Sequence, residues 1–80
     1  ELLLHLDEVG PVSASIRGQT NVRFGKSYHT DGHLIVVKGY RFDDNQLYIL
    51  VNDPNLSNVS DEMKVEDFIS VWRNVIYVIE

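Results

Sequence analysis

A histidine and an aspartate in this sequence have the residue types and spacing to form part of a catalytic site. His33 follows Gly32 at the start of a β-branched run, and Asp53 ends a second such run before Pro54. A carboxylate that accepts a hydrogen bond from one imidazole nitrogen fixes the tautomer and favours the imidazolium. The other nitrogen is then left to act as a base for a nucleophile, so the pair would supply two members of a catalytic triad.

The register of the predicted hairpin decides whether these two side chains meet. With Arg41 opposite Leu47, Asp53 lies opposite Ile35, and His33 is its diagonal neighbour on the same face, about 7–8 Å away between backbones. A turn two residues tighter places the pair directly opposite, whereas a shift of one residue sends them to opposite faces. A plainer interpretation stays open, in which His33 is a strand-end histidine and Asp53 a turn residue.

Metal ligands and nucleophiles are poorly represented in the chain. His29 and His33 lie on either side of Asp31, but Gly32 interrupts this spacing in a predicted loop and no fourth ligand is evident. We therefore expect no metal site and no cofactor. The sequence contains no cysteine, which excludes disulfides and any thiol chemistry by these residues alone.

The elements that must position the pair begin with a helix and a strand. Apolar residues predict the end of a helix over residues 1–9, which Gly10 and Pro11 then stop. Residues 12–17 alternate between apolar and polar types, which predicts a strand with one wet face.

The middle of the chain predicts a long loop and then the hairpin. Residues 18–32 are polar and predict a loop that could contain one short strand at 22–24. Residues 33–41 and 47–53 are rich in β-branched types and predict a central hairpin around a turn at 42–46.

The last third of the chain predicts a linker, a helix and a strand. Asn and Asp beside Pro54 end the second hairpin strand, and a polar linker follows. Helical spacing of apolar residues predicts a short helix over 65–72 that packs on the sheet. Residues 74–80 are apolar on both sides and predict a buried closing strand. Together these elements predict one α+β domain, residues 1–80, dominated by an antiparallel sheet.

Composition and charge narrow the classes of function. The 80 residues (9.2 kDa) carry 12 acidic against 7 basic side chains, a net charge of −5, which argues against binding to a nucleic-acid backbone. No apolar run approaches the roughly 20 residues that a membrane span needs. The chain opens at Glu1 without a signal-peptide pattern, and we expect it to be a fragment of something longer.

Four stretches carry a resemblance to a known family: Gly32–Tyr40 (GHLIVVKGY), Tyr48–Pro54 (YILVNDP), Phe68–Trp72 (FISVW) and Val75–Ile79 (VIYVI). With them, the chain resembles the C-terminal half of a papain-like cysteine peptidase. The similarity is greatest to the bacteriocin-leader peptidase group, family thirty-nine of the cysteine peptidases. It covers residues 10–79.

The resemblance implies a fold and roles for the two candidate residues. The fold would be the antiparallel half-barrel lobe of a papain-like proteinase with one short packed helix. His33 would be the general base, and Asp53 would orient it. The resemblance further implies a cysteine at a helix N-terminus, preceded by a glutamine of the oxyanion hole, in a helical half upstream of Glu1. We therefore expect the chain to be inert alone, with that missing half and a peptide substrate as its partners.

A second hypothesis is a non-catalytic module. In that case the parent protein also lacks the cysteine, and this peptidase-like domain binds peptides or a partner protein. The resemblance implies bacterial secretion or the cell envelope. Because loss of the helical half would expose the inner face of the sheet, we also expect the chain to self-associate at high concentration.

Overall fold

Two short helices and one antiparallel sheet make up the described part of the chain, residues 2–53 and 60–78 of the computed structural model. In chain order the elements are α1 (Leu2–Glu8), β1 (Val12–Thr20), β2 (Tyr28–Asp43), β3 (Gln46–Asn52), β4 (Ser60–Lys64), α2 (Val65–Val71) and β5 (Trp72–Val78). The strand order is β4-β3-β2-β1-β5, and every neighbouring pair is antiparallel. Neither described helix is long and apolar enough to cross a membrane. The predicted α+β class is confirmed.

β1 lies between β2 and β5 and carries the alternation that the sequence shows. Val12, Ala14 and Ile16 are fully buried, while the intervening Ser13 and Ser15 are partly exposed. Side chains of a strand point alternately to the two faces of a sheet, so this pattern buries one face of β1 in the core. The predicted strand is confirmed.

The long loop predicted over residues 18–32 is wrong. β1 continues to Thr20, and β2 begins at Tyr28 directly opposite it, so the connection is only residues 21–27. Residues 22–24 lie in this connection and form no strand. The prediction interpreted the polar residues as a loop. The hydrogen bonds of a sheet join backbone groups, so two strands can pair even where their side chains are polar.

The central hairpin is confirmed, with a tighter turn than predicted. Asp43 pairs with Gln46, which leaves Asp44 and Asn45 as the two turn residues. Their φ angles are 49° and 64°, and positive φ at both central residues is what a type I′ hairpin turn requires. Asp and Asn tolerate this left-handed region better than other non-glycine residues.

The polar linker predicted after β3 is partly wrong. Residues 54–59 lie outside the described residues, but Ser60–Lys64 form β4, the edge strand beside β3. Asp61 and Met63 are buried and alternate with more exposed neighbours. The buried face of β4 carries the charged residue Asp61, so the sequence lacks the apolar alternation that predicts a strand.

The closing strand is present but is not buried as predicted. β5 pairs with β1 and forms the other edge of the sheet, and Val75, Tyr77 and Val78 are exposed. An apolar strand pattern does not reveal whether a neighbour covers it, which explains the error. Residues 79–80 lie outside the described residues, and self-association through such a surface stays a prediction.

α2 packs one side into the core, as predicted. Phe68 and Val71 are almost fully buried, whereas Ile69 is exposed. A Cβ atom built on Gly18 of β1 would lie 3.6 Å from Cγ1 of Val71, which shows how closely the helix approaches the sheet. The buried core consists of Leu6, Val12, Ala14, Ile16, Ile35, Val37, Ile49, Val51, Met63, Phe68 and Val71.

Candidate active site

A β-bulge in β2 determines which residue faces Asp53. On the turn side of the bulge Gly39 pairs with Leu50, but on the far side Val37 pairs with Val51, so Lys38 is one extra residue in β2. Beyond the bulge the ladder runs to Val36 opposite Asn52, which is the register that the sequence predicted for Ile35 and Asp53. Without the bulge, the register that holds near the turn would continue to the end of β3. Asp53 would then be shifted by one residue and would lie on the opposite face from His33.

The structure brings the two predicted site residues into contact. Nε2 of His33 lies 2.8 Å from Oδ1 of Asp53. The Asp53 side chain is 1% exposed and that of His33 is 20% exposed. In this orientation Nε2 donates to the carboxylate, and Nδ1 makes no hydrogen bond to any of the described residues. A buried acceptor on one nitrogen and a partly open second nitrogen are what a general base needs.

Tyr28 is a third member of the site, which the sequence analysis missed. Its hydroxyl donates a hydrogen bond to Oδ2 of Asp53. Its ring meets the His33 ring edge-on, with centroids 6.3 Å apart and planes at 76°. Asp53 therefore accepts hydrogen bonds from His33 and Tyr28 on separate oxygens.

A second bulge in β2 explains why Tyr28 was missed. Tyr28 and His33 are five residues apart, so an unbroken strand would send their side chains to opposite faces. The register with β1 shifts between Ile16 and Gly18, where one β1 residue faces residues 31–32 of β2. This extra residue returns both side chains to one face. Glycine within a strand often marks a bulge, and Gly32 was the available signal.

The metal-site candidate does not assemble. His29 is exposed and pairs with Gln19 on β1, so it does not join His33. Across residues 2–53 and 60–78, no group of three or more His, Cys, Asp or Glu side chains is arranged to hold a metal ion.

A second polar group, the arginine cluster of Arg23, Arg41, Tyr48 and Glu62, lies on β2, β3, β4 and the 21–27 connection. Glu62 accepts hydrogen bonds from Nε and Nη2 of Arg41 at 2.9 and 2.7 Å and from Nη1 of Arg23 at 3.1 Å. Both guanidinium groups approach the Tyr48 ring, at 5.0 and 4.8 Å from its centroid. The Arg41 hydrogen bonds hold the pKa of Glu62 below its usual range, with a smaller contribution from Arg23.

Asp61 fixes the connection that leads into Tyr28. Its carboxylate oxygens accept hydrogen bonds from the backbone N–H groups of Phe24 at 2.9 Å and Gly25 at 2.7 Å. The backbone N–H of Arg23 also donates to the carbonyl oxygen of Glu62 at 2.9 Å. Asp61 is 3% exposed, and such backbone hydrogen bonds satisfy a buried carboxylate. We assign Asp61 a structural role.

Comparison with known proteins gives one family. The family model described as the Peptidase_C39 like family matches residues 1–79. This range includes every described element of the fold and all three residues of the site. No curated protein and no solved structure matched the chain. Since the family match spans nearly the whole sequence, this chain belongs to the Peptidase_C39 like family.

Proposed function

We propose that this chain supplies the base of a cysteine-peptidase active site, with His33 as general base and Asp53 as the carboxylate that orients it. The observation that carries the proposal is the 2.8 Å contact between His33 and a carboxylate that is 1% exposed. Membership of a peptidase-like family supports peptide or related amide bonds as the substrate class.

The proposed mechanism assigns one proton path. The cysteine thiol gives its proton to Nδ1 of His33, and the imidazolium is stabilised by Asp53 at Nε2. The thiolate attacks the amide carbonyl carbon, and the tetrahedral intermediate collapses as His33 returns the proton to the leaving amine. Water then hydrolyses the thioester, with His33 again taking and returning a proton.

The nucleophile must come from outside these residues, because the sequence contains no cysteine. We propose that it lies at a helix N-terminus in another part of the same domain, after a glutamine that donates to the oxyanion hole. In this proposal the sheet is the half-barrel lobe of a papain-like fold. The hydrogen bond from Arg23 to Glu62 supports such a curl, since it ties the connection after β1 to β4 across the sheet.

The test of this proposal is turnover of peptide substrates by the full-length protein and two histidine variants. We expect His33→Ala to lower turnover by about 100-fold or more, since general base catalysis contributes that much. The matched control is His29→Ala, because His29 is an exposed histidine in the same strand. Circular dichroism checks that both variants fold. A loss of less than about tenfold in folded His33→Ala would remove His33 as the base.

The absence of cysteine also favours a second candidate, a peptidase-like module that binds peptides or a partner protein without cleaving them. The two candidates differ in the full-length protein. A cysteine whose alkylation abolishes hydrolysis supports the enzyme. Peptide binding without hydrolysis, in a protein with no reactive cysteine, supports the binding module.

A further inference from the structure

We propose that Tyr28 is a positioning residue that holds the Asp53 carboxylate in the orientation in which one oxygen faces Nε2 of His33. This inference rests on the proposed function, because it assumes that His33 acts as the base. Tyr28 does not touch the reacting atoms in this account. It acts through the carboxylate and through the imidazole ring.

The Asp53 carboxylate is divided between two donors. Oδ1 of Asp53 faces His33, and Oδ2 accepts the hydroxyl proton of Tyr28. A carboxylate rotates readily about its last bond because that torsion has a broad, two-fold potential. A directed donor on Oδ2 opposes this rotation and keeps Oδ1 in place. Burial of the group to 1% exposure strengthens the effect, because water does not compete for either oxygen.

The rings of Tyr28 and His33 are also in contact. The edge-on arrangement of Tyr28 and His33, with centroids 6.3 Å apart, is one of the favoured geometries for aromatic pairs. The ring of Tyr28 therefore limits imidazole rotation, while its hydroxyl limits carboxylate rotation. Tyr28→Phe separates the two effects, because it keeps the ring and removes only the hydroxyl.

The backbone of Tyr28 is itself fixed. Tyr28 is the first residue of β2 and pairs with Thr20, which is 1% exposed. The connection before it is held by the Asp61 carboxylate through the N–H groups of Phe24 and Gly25. A donor anchored at both ends of its segment can hold a side chain in one orientation.

The consequence of this arrangement is a single tautomer of neutral His33. Oδ1 of Asp53 accepts a proton from Nε2, which leaves the lone pair of His33 on Nδ1, where the proposed base must receive a proton. Without the Tyr28 hydroxyl, the Asp53 carboxylate turns more freely and its contact with Nε2 is less well aligned. The preference of neutral His33 for the Nε2–H tautomer then weakens, and only that tautomer is competent as a base.

The experiment measures the tautomer and the kinetics in the same variants of the full-length protein. Selective ¹⁵N labelling of histidine reports the proton on each ring nitrogen, and the His33 signals are assigned from their absence in His33→Ala. We expect the Nε2–H tautomer to predominate in the unmodified protein and a mixture in Tyr28→Phe. We expect kcat to fall about tenfold with KM nearly unchanged, as for loss of a residue that orients a ligating or catalytic group.

The matched control is Tyr77→Phe, which removes the hydroxyl of an exposed tyrosine on β5. It leaves both the tautomer and kcat unchanged. An unchanged tautomer in folded Tyr28→Phe overturns the proposal. If Tyr28→Phe does not fold, the test is the rate at which the Tyr28 hydroxyl proton of the unmodified protein exchanges with water. Slower exchange than at Tyr77 supports the proposal, and equal exchange overturns it.

The tautomer measurement separates this proposal from the proposed function. If His33→Ala stays active while Tyr28→Phe still mixes the tautomers, the role of His33 as base fails and the positioning by Tyr28 stands. If His33→Ala is inactive while Tyr28→Phe keeps a single tautomer, the reverse holds.

Discussion

Asp53 and Glu62 are both carboxylates that accept hydrogen bonds from two side chains, but their surroundings differ. Asp53 is 1% exposed and faces a histidine and a tyrosine. Glu62 is 16% exposed and faces two guanidinium groups. Asp53 lies beyond the end of β3 on the core side, whereas Glu62 alternates with the buried residues of β4 and faces outward.

The comparison shows that the type of donor separates a candidate active site from a structural contact. A guanidinium group keeps its proton at any pH that proteins meet, so the arginine cluster holds fixed charges. Free imidazole exchanges its proton near neutral pH, which is why we propose the contact between His33 and Asp53 as the one that takes part in proton transfer. The type of donor is therefore our reason for proposing the first pair, and not the arginine cluster, as the site of chemistry.

The most drastic way to break the comparison is to insert one alanine between Val36 and Val37. The insertion moves the part of β2 that carries His33 by one residue against β3. We expect the contact between His33 and Asp53 to be lost, and we expect the chain to lose more than about 4 kcal/mol of stability, since Ile35 leaves the core face. Urea unfolding and the NMR signals of His33 measure the two effects.

The control for this insertion is Lys38→Ala, which keeps the number of residues. It removes only the exposed hydrogen bond from Nζ of Lys38 to Oγ of Ser60. We expect the free energy of unfolding to change as little as it does for most surface substitutions, and we expect the contact between His33 and Asp53 to remain. An equal loss of stability in the two variants would contradict the role given to the register of β2 against β3.

A milder comparison replaces each carboxylate by its amide. Asp53→Asn offers one acceptor oxygen in place of two to a pair of donors in a buried site, and we expect it to cost about 1–3 kcal/mol. Glu62→Gln keeps one acceptor oxygen for Arg23 and Arg41, which lie near solvent. We expect it to lower the free energy of unfolding by less than Asp53→Asn does. Urea unfolding of the two variants under one set of conditions gives the comparison. A larger loss in Glu62→Gln would reverse the contrast between the two regions.

The smallest expected effect is a pH dependence of the arginine cluster. The folded chain holds the pKa of Glu62 below its ordinary value of 4.5, chiefly through Arg41. The stability that this provides is therefore fully present above the unfolded pKa and is lost as pH falls through the folded pKa. We expect unfolding curves of the unmodified chain and Glu62→Gln to differ at neutral pH and to converge in acid. A difference that grows as the pH falls would contradict this assignment.

The contact between the two site residues could be predicted from the sequence, although the reasoning about the register was only partly right. The predicted pairing of Arg41 with Leu47 is wrong, since Arg41 pairs with Tyr48. The bulge at Lys38 then shifts the ladder by one residue and restores the predicted relation near Asp53. The period of a strand does not show where an extra residue enters, so the compensation could not be foreseen.

Other features were hidden because they depend on tertiary contacts. Tyr28 reaches the site through a second bulge, and β4 carries the buried Asp61, which the backbone of a distant connection satisfies. The exposure of β5 depends on which strands lie beside it. Local patterns of apolar residues predicted the helices and the hairpin, where contacts are close in sequence.

The most direct test of the central claim is the rate at which a thiol reagent alkylates the full-length protein at about pH 6, followed by intact mass. Ordinary thiols are protonated at that pH and react slowly. We predict fast labelling at one cysteine and its loss in His33→Ala, because the imidazolium that Asp53 stabilises holds the thiolate. Slow labelling in the unmodified protein, or labelling that His33→Ala leaves unchanged, would contradict the account.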